Sequence, residues 1–153
     1  MPKIDLESVP QTNRTGYPGN YAAPVEQRWV RRLTPVLGLT DFGASQVTLK
    51  PGAWSSQRHW HEEEDEMVIM IAGEAVLVDD RGRTAMRPGD MAVFLKNDGN
   101  GHHLINESEA DCVFAAIGRP AQGACHYSDI DLHIFKGSQA YARKDGGAVD
   151  QPS

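Results

Sequence analysis

His59-Trp60-His61-Glu62-Glu63-Glu64-Asp65-Glu66-Met67-Val68-Ile69-Met70-Ile71-Ala72-Gly73, the stretch HWHEEEDEMVIMIAG, decides how this chain is read. Side chains on an extended strand alternate between its two faces, so His59 and His61 point the same way and Trp60 points the other. Two neutral imidazoles side by side make half of a metal site, and a nearby carboxylate is a natural further ligand. Five consecutive acidic residues, Glu62 to Glu66, offer that carboxylate, although such a run mostly reads as a solvated turn. The run ends in the apolar EMVIMI segment, which is strand-like and stops at Ala72-Gly73.

Outward from this stretch the pattern repeats. QVTLK (46–50) stops at Pro51-Gly52, EAVLV (74–78) at Asp79-Asp80-Arg81-Gly82, residues 83–86 at Pro88-Gly89, and MAVFL (91–95) at Asn97-Asp98-Gly99-Asn100-Gly101. Segments 103–106, 112–117 and 131–135 follow. Short apolar runs punctuated by Gly, Pro, Asn and Asp predict an antiparallel sandwich or barrel with no helix of ordinary length in residues 44–135. Residues 1–30, rich in proline and glycine, read as an extended N-terminal arm laid over the domain or a neighbouring subunit. Residues 25–33 leave helix and strand both open. Residues 31–136 form the expected single domain, and 137–153 a polar C-terminal tail.

The chain has 153 residues, 40% hydrophobic, which suits one domain with a core large enough to fold without staples. A net charge of −6 repels phosphate backbones and anionic membrane surfaces, so no nucleic acid and no membrane is the expectation. With no membrane-length apolar run and no signal-like N-terminus, the expected location is cytoplasmic. Cys112 and Cys125 do not make a disulfide framework, and a buried free thiol at Cys112 behaves as a small hydrophobe.

A further histidine pair, His102-His103, follows the glycine-rich turn. If Glu66 opens one strand and His102 another, an antiparallel barrel can carry both to the HWH strand, so that three imidazoles and one carboxylate meet in the barrel mouth. That mixed N/O set suits Fe(II), Mn(II), Ni(II), Zn(II) or Cu(II) and leaves coordination positions open to substrate. These residues resemble the two motifs of the cupin superfamily. From His59 the first motif is matched throughout: His61, then Glu66 after four residues, then Gly73 after six more. Gly52 stands one residue further from His59 than the pattern has it. In the second motif Gly89 to Phe94 fit the start, and His102 with Asn106 fit the end. Leu95 replaces the usual proline, Asn97 the usual glycine, and four residues rather than two separate Asn97 from His102.

The resemblance covers about residues 44–118 and implies an all-β double-stranded β-helix, the jelly-roll or cupin barrel, often a homodimer. It implies a divalent metal on His59, His61, Glu66 and His102, with His103 the alternative ligand. The H-x3-N spacing favours His102, because His102, Leu104 and Asn106 then share the inward face. By the same parity Ser55 and Gln57 face the pocket, and Met70, Phe94 and Leu104 are candidate walls. Glu62 or Glu64 is a candidate hydrogen-bond partner for a ligand histidine. Three classes of function remain: a metal-dependent dioxygenase, isomerase, epimerase or lyase acting on a small oxygenated molecule, with Glu66 moving a proton; a ligand-binding or sensor module using the same pocket; and a storage protein, against which the small size and intact ligand set argue.

Overall fold

The computed structural model describes residues 2–150; the last residues of the expected tail, 151–153, lie outside the described residues. In chain order the strands are β1 (Gln11–Thr12), β2 (Arg28–Arg32), β3 (Gly43–Leu49), β4 (His59–His61), β5 (Glu66–Ala72), β6 (Ala75–Asp79), β7 (Gly82–Met86), β8 (Met91–Phe94), β9 (His103–Ile105), β10 (Cys112–Gly118), β11 (Cys125–Tyr127) and β12 (His133–Ile134). One α-helical turn, α1 (Leu33–Leu37), ends at Gly38, whose φ of 73° is the left-handed cap that glycine adopts without strain. No helix among the described residues is long and apolar enough to cross a membrane.

All the pairings are antiparallel. One wall is a six-stranded sheet in the order β1-β2-β3-β10-β5-β8. Two three-stranded sheets, β7-β6-β9 and β12-β11-β4, are joined by bridges between Trp54 and Ile105 and between His59 and His102, and together make the other wall. Inward residues of both walls form the main core: Val30, Val47, Leu49, Val68, Met70, Phe94, Leu104 and Phe114 are all buried there. This is a double-stranded β-helix.

Residues 25–33, open between helix and strand, hold all of β2, with a 3-10 turn (Gly19–Val25) before it. The N-terminal segment does more than lie over the barrel. β1 extends the large sheet by pairing with β2, and Val9, Tyr17 and Val25 are buried. The C-terminal segment, polar in sequence, packs Tyr141 and Val149 against a second cluster built on Tyr17, Val25, Cys125, Tyr127 and Leu132. Both ends of the chain therefore help close one end of the barrel.

Asn106, expected in the pocket, is instead a structural clamp. It is fully buried; Nδ2 donates to the Leu49 and Ala110 carbonyls, each at 2.8 Å, and Oδ1 accepts from the Ser108 amide at 3.0 Å and hydroxyl at 2.7 Å. Asn106→Ala leaves buried carbonyls and a backbone amide unpaired, so we expect about 2–3 kcal/mol lost from unfolding free energy. Urea denaturation that returned a wild-type midpoint would refute this role.

Candidate metal centre in the barrel cavity

β4 and residue 102 meet through a residue pair that exchanges both backbone hydrogen bonds, His59 N to His102 O at 3.3 Å and His102 N to His59 O at 3.0 Å. Such a pair sets its two side chains on the same face of the sheet. The imidazole centroids of His59 and His102 stand 5.1 Å apart, and those of His59 and His61 5.0 Å. Glu66 opens β5 on the facing wall, where it is opposite Phe94 in β8 and Gly118 in β10. Its Oε2 lies 3.3 Å from His102 Nε2 and 3.7 Å from His61 Nε2. Donor atoms of His59, Glu66 and His102 all fall within 4.8 Å of one another. The four residues read from the sequence thus converge.

What surrounds them fixes the ring orientations. A carbonyl can only accept, so the 2.9 Å contact from His59 Nδ1 to Gln57 O puts the proton on Nδ1 and leaves Nε2 as the free lone pair. The His102 ring lies parallel to Phe94 with centroids 3.5 Å apart. Arg58 donates to Gly101 O at 2.9 Å and pairs with Asp129 at 2.9 Å and with Asp80, tying the glycine-rich turn before His102 to the strand carrying His59. Asn97, where the resembled motif has glycine, keeps a left-handed φ of 58° that asparagine tolerates, and its amide donates to His61 O at 2.8 Å.

Of the two acidic residues named as partners for a ligand histidine, Glu64 stands beside one and Glu62 does not. Glu64 Oε1 accepts from the amides of Gln122 and, at 2.6 Å, Gly123, while Oε2 faces His61 Nδ1 at 3.6 Å. Glu62 pairs with His126 Nε2 at 2.7 Å, and that ring stacks on Trp60 with centroids 4.0 Å apart, on the outward side of β4. His103 turns away from the cavity: its Nδ1 bonds to Ser56 O at 2.8 Å and its ring meets Trp54 edge-on.

A cavity of about 340 Å³ opens above these groups, and His59, His61, Glu66, His102, Ser55, Phe94 and Leu104 line it. Gln57, Met70 and Asn106 do not line it. Gln57 is buried with its side chain donating to Tyr21 O at 2.9 Å, and Met70 belongs to the barrel core. Gln57 sits in the bend before β4, where strand alternation does not hold; for Met70 and Asn106, depth along the barrel decides whether an inward side chain meets the cavity or the core. Cys125 was missed: it pairs with His61 across β4 and β11 and lies within ligating reach of His59 and His61. Burial pushes its thiol up to about 12, so it is protonated and a poor ligand as it stands. Both cysteines are free. No spacing rule would have found Cys125, because its contact depends on the register of β11 against β4.

The electrostatics favour a cation. Burial, then the charge of His102, lowers His59 to about 4, and burial lowers His61. Burial pushes Glu66 upward, yet the hydrogen bond from His102 and the histidine charges outweigh it and hold the carboxylate below its ordinary range. Neutral imidazoles at His59 and His61 beside an ionised carboxylate are protonation states that a divalent metal requires, so the donor set fits such an ion. The sign for metal-free protein follows from linkage. His59 is depressed, so the unfolded chain binds more protons between pH 6.5 and about 4, and stability falls as pH drops through that window; Glu66 adds a loss below about 4.5. Thermal melts in chelator should decline from pH 7 to pH 4, with a shallower decline for His59→Ala. Parallel declines would count against it.

A double-stranded β-helix carrying three imidazoles and a carboxylate inside its cavity defines the cupin class. This chain belongs to the cupin superfamily: the model of the cupin domain family matches residues 45–118. A sugar phosphate isomerase of the cupin superfamily from Silicibacter pomeroyi is similar at 39% identity over 99% of this chain and 100% of that one, with a TM-score of 0.90. A cupin 2 conserved barrel domain protein from Salinispora arenicola (23% identity, 79% of this chain and 88% of that one, TM-score 0.57) shares the fold. So does a polyketide cyclase from Streptomyces resistomycificus (19% identity, 77% and 78%, TM-score 0.62). Comparison with curated proteins returned no match.

Proposed function

We propose that this chain is a metal-dependent isomerase of a small, sugar-like oxygenated molecule, with a sugar phosphate the first substrate class to test. The observation that carries the reading is the convergence of His59, His61 and His102 from one wall and Glu66 from the facing wall on a substrate-sized cavity. The 39% identical relative described as a sugar phosphate isomerase supports the choice of reaction. These four residues would hold the ion. A divalent metal at this position supplies Lewis-acid polarisation of a carbonyl or hydroxyl oxygen.

The chain's own groups supply the rest. Isomerisation moves a proton between adjacent carbons, and the Glu66 carboxylate, held ionised, is the base in the cavity that can take it up and return it. Tyr127 also lines the cavity, and burial raises its hydroxyl well above the ordinary range, so it stays protonated as a donor. Leu104, Phe94, Val47 and Phe114 keep water from the reacting carbons.

The test is metal analysis of tag-free protein, followed by NMR of pentose and hexose phosphates incubated in heavy water. About one metal per chain, with carbon-bound deuterium appearing during turnover, is the expected result. Ligand-induced stabilisation without turnover by metal-replete protein would replace this reading with a non-catalytic binding or sensor module. Oxygen uptake would replace it with a dioxygenase.

The reading extends to a cytoplasmic homodimer, which cell fractionation and sedimentation velocity would check. The outward row Met91 and Val93 on β8, the edge strand of the large sheet, with Leu95 just past its end, supports an interface, being about 60% exposed at each position.

A further inference from the structure

β2 carries arginines on both of its faces, and the two faces differ. On the outer face Arg31 is fully engaged, donating to Val9 O and pairing with Glu7 at 3.3 Å. On the inner face Arg28, Val30 and Arg32 follow one another at every second position and line the same cavity as the histidine cluster. Arg28 is half-buried, and Nη1 donates to Ser55 O at 2.7 Å, while the buried Nε has no partner. Its titratable neighbours are not carboxylates: the neutral hydroxyls of Tyr17, Tyr127 and Tyr141 surround it, and Arg32 adds a second positive charge. Burial accordingly lowers the Arg28 pKa, though a guanidinium remains charged at neutral pH. Among the described residues Arg32 makes no ion pair, and it lines both the cavity and the adjoining cleft that shares His61 and Glu66 with it.

A buried guanidinium without a counter-ion is costly, and the cost is relieved when an oxyanion supplies the missing acceptors. In a chain of net charge −6, a pair of cations directed into one cavity stands out. We propose that Arg28 and Arg32 form an oxyanion seat, so that the substrate is a small molecule bearing a phosphate or carboxylate at one end and the reacting oxygenated carbons at the other. The inference rests on the reading that this cavity takes the substrate, and it adds which residues recognise the anionic end. The two arginines are binding residues: they hold the non-reacting end and thereby orient the other end towards the histidine cluster.

The experiment is calorimetric titration of the purified full-length protein with inorganic phosphate and, separately, with D-glycerate. Wild type, Arg32→Gln, Arg32→Lys and Arg28→Gln are compared, with metal content and melting temperature recorded for each. Arg32→Gln should weaken binding of the preferred anion about tenfold or more, with wild-type metal content and melting temperature, while Arg32→Lys recovers part of the loss. Arg28→Gln should lose more; should it fail to fold, the exposed Arg32 still decides the matter. Preference for phosphate over D-glycerate, or the reverse, identifies the anion. Wild-type affinity in Arg32→Gln, or no binding of either anion by wild type, overturns the proposal. Wild type that takes up no divalent metal even when incubated with it, yet binds phosphate in an Arg32-dependent way, would sink the metal-dependent reading and leave this seat standing.

Discussion

Replacing His102 by alanine should weaken metal binding by more than about 100-fold, whereas replacing its neighbour His103 should leave metal content unchanged. Loss of an outer hydrogen-bond partner alone costs a metal site about 10- to 100-fold, and His102 stands among the candidate ligands themselves. Its Nε2 is 3.3 Å from Glu66 Oε2, and its backbone is pinned to His59 by two hydrogen bonds. His103 spends its Nδ1 on Ser56 O and faces Trp54. Side-chain alternation puts these consecutive histidines on opposite faces, so the contrast should be nearly complete. Metal content and competition with a chelator, measured on both variants and on wild type, make the comparison. Equal loss in the two variants, or none in either, would show that the cavity cluster is not where the metal sits.

Gly73→Ala should cost about 4 kcal/mol of unfolding free energy, a large share of the stability of a domain this size. A Cβ at this position would stand 2.3 Å from Asp111 O and 2.8 Å from Cys112 Cα. Both are backbone atoms of the segment entering β10, the strand that joins β3 to β5 in the large sheet, so neither can step aside without moving the sheet. The φ of 67° adds the ordinary left-handed penalty for a side chain. By contrast Gly52→Ala, at φ 86° but with nothing near its Cβ, should cost only that penalty, about 1 kcal/mol. Urea midpoints of the pair separate clash from conformation, and similar midpoints would show that the sheet yields.

The candidate metal cluster was legible because its residues carry their own local instructions. HxH on a strand presents two imidazoles, an abrupt apolar run marks where Glu66 enters the next strand, and the glycine-rich turn delivers His102. The strands from β3 to β10 were legible for the same reason, each being bounded by turn-forming residues. The ends of the chain were not. Neither the pairing of Gln11–Thr12 with β2 nor the burial of Tyr17 against Tyr127 and Tyr141 leaves a periodic trace, since a two-residue strand has no period to detect. Met70 and Asn106 mark a second limit: alternation gives the face of a strand but not the depth at which a side chain sits.

By itself the sequence determined a barrel of short antiparallel strands and the identity of the four candidate ligands, because periodicity, turn chemistry and ligand spacing are local. Only the tertiary structure decided what stands around them. Cys125 across from His61, and Arg28 with Arg32 on the cavity wall, lie on strands distant in sequence. Their neighbours are set by inter-strand register, and register is fixed when the two walls close on a shared core.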